Sequence, residues 1–97
     1  MASPTAFAML CTDLGHVPSG VSPELRQLLE LKLDTAAAEL QEDAGITIDE
    51  SRRKDLELLV LYARWLYTGR VNQAPMPWML QRRIHNRQVA QATGGGA

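Results

Sequence analysis

Cross-links, metal centres and active sites are built from groups of which this chain has few. A single cysteine, Cys11, excludes an internal disulfide and points to a reducing, intracellular setting. His16 and His85 are the only histidines, and neither they nor Cys11 stand at a spacing that binds zinc. The acidic stretch "ELQEDAG" lacks the alternating ligands and the glycine turn of a calcium loop. The glycine run at 94–96 is a tail and not a strand-to-helix turn, so it cannot cradle a phosphate. Nothing in the sequence pairs a serine, threonine or cysteine with a base. The expectation is a protein that is not an enzyme and that uses no metal and no cofactor.

Aromatic residues are also scarce, with one Phe, two Tyr and two Trp. Aliphatic side chains must then supply most of the burial, which favours packed helices over a sheet sandwich. No apolar run approaches the roughly 20 residues of a membrane span. The first residues lack the basic start and continuous apolar stretch of a signal peptide, so a soluble, unexported chain is expected.

What is present is enough for one domain. A chain of 97 residues hides roughly 65% of its unfolded surface on folding and builds a single core. Its net charge of −1 gives it no overall pull toward DNA or anionic lipid. That sum conceals a division. Residues 1–49 carry two basic and eight acidic groups (net −6), and residues 50–97 carry eight basic and three acidic ones (net +5).

Start and stop signals divide the chain into four helices. Ser3-Pro4 caps and starts the first, with Phe7, Leu10, Cys11 and Leu14 on one face and Gly15 at its end. Residues 16–21 read as a linker. Ser22-Pro23-Glu24 starts the second, whose stripe is Leu25, Leu28, Leu29, Leu33, Ala36, Ala37 and Leu40, and Gly45 ends it. Ile46, Thr47 and Ile48 favour an extended connection. Thr47 and Glu50 have the spacing of a capping box, with Asp49 as the alternative cap. The third helix is expected from about Asp49 or Glu50 to Thr68, closed by Gly69. It is apolar nearly all round: Leu56, Leu59, Val60, Ala63 and Leu66 form one stripe, and Leu58, Leu61, Tyr62, Trp65 and Tyr67 cover most of the rest. Such a helix is surrounded, either by its own bundle or by other copies of the chain.

A polar loop over 70–75 leads to the last helix. Pro77 sits at its first turn, Trp78, Met79, Leu80, Ile84 and Val89 are its apolar residues, and Arg82, Arg83 and Arg87 are spread around it. The fold expected is all-α, a small bundle of about four helices in one domain over residues 1–92, with a flexible glycine-rich tail over 93–97. The arginines beside Trp78 suit phosphate and base contacts, so a small DNA-binding regulator is the competing function. The near-neutral chain and the lack of a second basic element argue against it. A membrane-surface helix fits less well, because the arginines are not gathered opposite a broad apolar face.

Two stretches, "DLELLVLYARWLYTGR" and "MPWMLQRRIHNR", resemble the paired signature of the small head-tail connector proteins of long-tailed phages, also called adaptor or head-completion proteins. Asp55, Leu56, Glu57 and Leu58 match it, as do Tyr62, Ala63, Leu66 and Tyr67, and then Met76, Pro77, Met79, Leu80, Asn86 and Arg87. Trp78 and Gln81 stand where the family commonly has arginine, and His85 where it has asparagine. The looser N-terminal likeness extends the resemblance to most of the chain from Phe7 to about Val89.

The resemblance implies an all-α structural protein of the virion neck, assembled in the host cytoplasm. Its copies would form a homo-oligomeric ring, dodecameric in the virion. That ring would dock on the portal protein, extend the DNA channel and offer a platform to the stopper or tail-completion protein. Double-stranded DNA would pass through without specific binding, and no membrane would be involved. Pro77, Trp78, Met79, Leu80, Arg82, Arg83, Asn86 and Arg87 would face the portal. Trp65, Tyr67, Arg64, Arg70, Glu39 and Glu42 are the candidates for contacts between subunits. Apolar residues would carry more of that affinity and charges would set register.

Overall fold

The computed structural model describes residues 3–69 and 75–93. It is all-helical, with four α-helices among those residues: α1 (Pro4–Asp13), α2 (Pro23–Ala44), α3 (Arg53–Thr68) and α4 (Trp78–Ala92). Arg70 and most of the expected polar loop lie outside the described residues, as do residues 94–97 of the tail.

The two Ser-Pro starts behave alike. The Ser3 hydroxyl accepts the Ala6 N–H at 3.0 Å and the Ser22 hydroxyl accepts the Leu25 N–H at 3.1 Å, each with proline just inside the helix. Gly15 ends α1 with φ of 83°, donating to the Thr12 carbonyl at 3.1 Å while His16 donates to that of Cys11 at 2.8 Å, the paired bonds of a Schellman turn. Gly45 ends α2 with φ of 69°, and the reversed chain returns the Ile46 N–H to the Leu40 carbonyl at 2.9 Å. That reversal places Ile46 in the core. In the linker, residues 18–20 form one 3-10 turn.

One boundary departs from the sequence-based expectation. Helix α3 begins at Arg53, not at Asp49 or Glu50, because Asp49 is used in a turn of its own. Its carboxylate accepts the Ser51 N–H at 3.0 Å and the Ser51 hydroxyl at 2.6 Å, and its carbonyl accepts the Arg52 N–H at 3.0 Å. The Thr47–Glu50 capping box does not form, since α4 takes both backbone groups of Thr47. At the other end Gly69 is not left-handed: its φ is −92°. Glycine is needed there for space, because a Cβ would lie 2.6 Å from Cδ1 of the Trp65 indole.

The Ser51 bonds hold the Asp49 carboxyl below its ordinary value, with Arg52 and Arg87 adding to them. The folded state therefore binds this proton less readily than the unfolded chain. The stabilisation is present above the unfolded pKa of about 3.9 and is lost as pH falls through the lower folded value. A carbon-detected NMR titration is expected to put the Asp49 midpoint below 3.8, and Ser51→Ala to move it back up. A midpoint at the ordinary value would mean the turn does not persist in solution.

One apolar cluster joins all four helices, with Phe7 and Leu10 from α1, Leu29, Leu33 and Leu40 from α2, Leu58, Leu59 and Leu66 from α3, and Leu80 from α4. Helix α3 touches each of the others, which accounts for its apolar circumference. Leu56, Leu61, Trp65 and Tyr67 nevertheless remain half-buried. Along α2, Leu28 falls outside the buried stripe and is exposed with Leu31.

Candidate protein-docking surface

Helix α4 has few apolar anchors, so polar contacts fix most of its position. Arg87 reaches from α4 to Asp55 in the first turn of α3, Nε to Oδ1 at 2.8 Å and Nη2 to Oδ2 at 3.2 Å. The two side chains are 11% and 1% exposed. Asp55 Oδ2 also accepts the Asp49 N–H at 2.9 Å, and Arg87 Nη2 donates to the Thr47 carbonyl at 3.2 Å. One two-pronged ion pair thus joins α3, α4 and the connection before α3. Arg87 Nη1 is buried with no hydrogen-bond acceptor among the described residues. The next residue, Gln88, donates to the Ala44 carbonyl at 2.9 Å. Gln91 donates to the Gly45 carbonyl at 2.5 Å and accepts the Thr47 N–H at 3.2 Å. The last half of α4 is therefore clamped to the end of α2.

Its first half is different. Leu80 is buried, but Trp78 and Met79 are each 60% exposed. The Arg82 guanidinium lies 5.7 Å from the Trp78 ring centre, a cation–π contact that holds the indole on the outer side of the helix. A groove of about 370 Å³ beside this end is lined by Leu61, Trp65, Pro75, Pro77, Met79 and Leu80 among others. A second groove, of about 410 Å³, runs between the start of α3 and α4. Arg52, Lys54, Arg82, Arg83 and Arg87 line it, and Leu58, Met79 and Ala90 give it apolar wall. Its one carboxylate, Asp55, is already bound by Arg87.

The residues singled out from sequence divide accordingly. Pro77, Trp78, Met79, Arg82, Arg83 and Asn86 lie on the exposed side of α4, with Pro77 at the N-cap position and Arg83 paired to Glu57 at 3.4 Å. Leu80 and Arg87 face inward and hold α4 in place, so they are withdrawn from the docking set. Among the subunit-interface candidates, Trp65 and Tyr67 are half-buried, and the Trp65 ring meets Tyr62 edge-on at 5.6 Å. Arg64 pairs with Asp13 at 3.0 Å, and Glu39 accepts the Tyr62 hydroxyl at 3.0 Å, so both have partners within the chain. Glu42 is exposed, and Arg70 lies outside the described residues.

Sequence reasoning missed Arg52 and Lys54. The fold brings them beside Arg82 and Arg83, supplying the second basic element that the last helix had seemed to lack; the "RRK" run at the start of α3 was the available signal. Cys11 is fully buried, and burial pushes its thiol up, which disfavours the reactive thiolate. No three His, Cys, Asp or Glu among the described residues are grouped to hold a metal ion, and no described helix is long and apolar enough to cross a membrane. Comparison of the chain with protein-family models, with curated proteins and with solved structures finds no match.

Proposed function

We propose that this protein is a structural docking subunit of the head-tail connector kind. Its copies form the ring that sits on the portal vertex, extends the DNA channel and receives the stopper or tail protein. The observation that carries this reading is the outer end of α4. Two large apolar side chains, Trp78 and Met79, stand exposed next to each other on a helix whose far end is clamped. Exposed aromatic and methionine side chains rimmed by arginine have the composition of an interface hot spot. The sequence resemblance supplies the kind of partner.

The test is a Trp78→Ala/Met79→Ala variant. Both side chains are mostly in solvent, so helicity and melting temperature are expected to stay close to those of the unaltered protein. Attachment to isolated portal rings is expected to weaken at least tenfold, read by co-sedimentation. Normal attachment, or absence of the protein from the necks of purified particles, would remove the reading.

A DNA-binding regulator remains the second reading, favoured by the basic residues that α3 adds to those of α4. Its measurement is affinity for duplex DNA against salt, where several phosphate contacts impose a steep log-log slope. Retention that vanishes by physiological salt with no saturating complex removes it.

A further inference from the structure

We propose that the groove between α3 and α4 receives the outer face of α2 from a second copy of this chain. The inference rests on the ring reading and names the contact that builds it. The groove presents four cations, Arg52, Lys54, Arg82 and Arg83, above apolar wall from Leu58 and Ala90. Among the described residues Glu57 engages Arg83 at 3.4 Å, Asp49 feels the charge of Arg52 and Arg82 stacks on Trp78, but no carboxylate stands within ion-pair distance of Arg52, Lys54 or Arg82. An occupant must then be acidic and carry apolar side chains.

The side of α2 turned from the core meets that requirement. Leu28 and Leu31 are 39% and 58% exposed there, although they are leucines in a chain with a modest core. The exposed Glu24 and Glu42 share that face. Helix α2 as a whole carries six carboxylates against two cations, and none of the cations stands in its last turn to balance the helix dipole. Each surface is thus electrostatically unfavourable alone and complementary to the other. Nucleic acid would satisfy the cations but has no use for the apolar wall, and it leaves Leu28 and Leu31 unexplained.

The two surfaces belong to different sides of the molecule. The outer face of α2 points away from α3, and the groove is built on α3, so a chain cannot fill its own groove. Contact between copies is therefore head-to-tail, and a head-to-tail contact whose rotation closes gives a ring. Arg82 and Trp78 lie at the junction of this groove with the exposed end of α4. The self-contact and the docking end thus adjoin.

The experiment uses two variants that keep the fold. Arg52→Glu/Lys54→Glu cancels the positive charge of the groove, setting two carboxylates against Arg82 and Arg83, and places them where the dipole of α3 favours them. Leu28→Ser/Leu31→Ser removes the exposed leucines. The unaltered protein is expected to associate at low salt between about 10 μM and 1 mM in sedimentation equilibrium, the range of weak interfaces. Each variant alone is expected to stay monomeric over that range. Mixed, the intact α2 face of the first and the intact groove of the second meet once, so the assembly is expected to stop at a one-to-one dimer. An unaltered protein that stays monomeric at 1 mM, or association surviving in either variant, overturns the inference. Rings that form equally well from both variants would do so while leaving the connector reading intact. Conversely, particles lacking the protein would remove that reading without touching a dimer observed in the mixture.

Discussion

Asp55→Ala is expected to destabilise the protein by about 3–5 kcal/mol, the range found when one partner of a buried ion pair is removed. The reason lies in what stays behind. Arg87 would keep its charge in a site where its side chain is 11% exposed, and its Nη1 already has no acceptor among the described residues. The Asp49 N–H would lose its acceptor as well, loosening the turn that precedes α3. Domains of this size have about 5–15 kcal/mol in total, so the variant is expected to be partly unfolded in mild urea. The paired substitution Asp55→Leu/Arg87→Met separates the ion pair's net worth from the cost of stranding one charge. It is expected to lose far less than the two single changes added together. A loss below about 1 kcal/mol for Asp55→Ala, with an unchanged m-value, would show that water reaches Arg87 without cost.

That pair also bears on what the sequence could reveal. Asp55 and Arg87 belong to the two separate stretches that resemble the connector signature, and the resemblance alone implies a docking role for Arg87. The distance between them in sequence, 32 residues, hides the bond; no local pattern records it. The helices themselves were legible because their signals are local: Ser3 and Ser22 as caps, Gly15 and Gly45 as left-handed stops, leucines at helical spacing between them. The start of α3 was misplaced because three local options, Thr47, Asp49 and Glu50, competed. The decision came from α4, whose Gln91 and Arg87 take the backbone of Thr47. Gly69 closes α3 as expected, and its place is set by close contact with the Trp65 ring, since its φ is negative.

The candidate surface was readable only in part for the same reason. Trp78, Met79, Arg82 and Arg83 are neighbours in sequence and form one patch, so composition found them. Arg52 and Lys54 join the same groove from the start of the preceding helix, and an arginine-lysine run on a helix start reads by itself as solvated charge. Leu28 was assigned to the buried stripe of α2 because periodicity cannot separate a leucine at the margin of a face from one at its centre. Its exposure, with that of Leu31, follows from α3 packing on the other side of α2.

Leu80→Ala is expected to release α4 before it unfolds the rest. Leu80 is the one buried residue of that helix, with Met76 and Ile84 half-buried beside it. Truncating a fully packed leucine costs about 2–5 kcal/mol, depending on how far the site collapses. What remains to hold α4 is mainly the Arg87 pair and the Gln88 and Gln91 bonds, of which the neutral ones contribute only about 0.5–1.5 kcal/mol each. The loss is thus expected to fall on one element: amides along α4 should exchange with solvent through a local opening, while those of Leu59 to Leu66 in α3 continue to require a larger one. On the proposed function, attachment to portal rings is expected to weaken with it, although Leu80 is itself buried, because Trp78 and Met79 keep their orientation only while α4 stays seated. If amides of α3 and α4 instead lose protection together, the helix is part of a single cooperative unit. The docking end then has no freedom separate from the core.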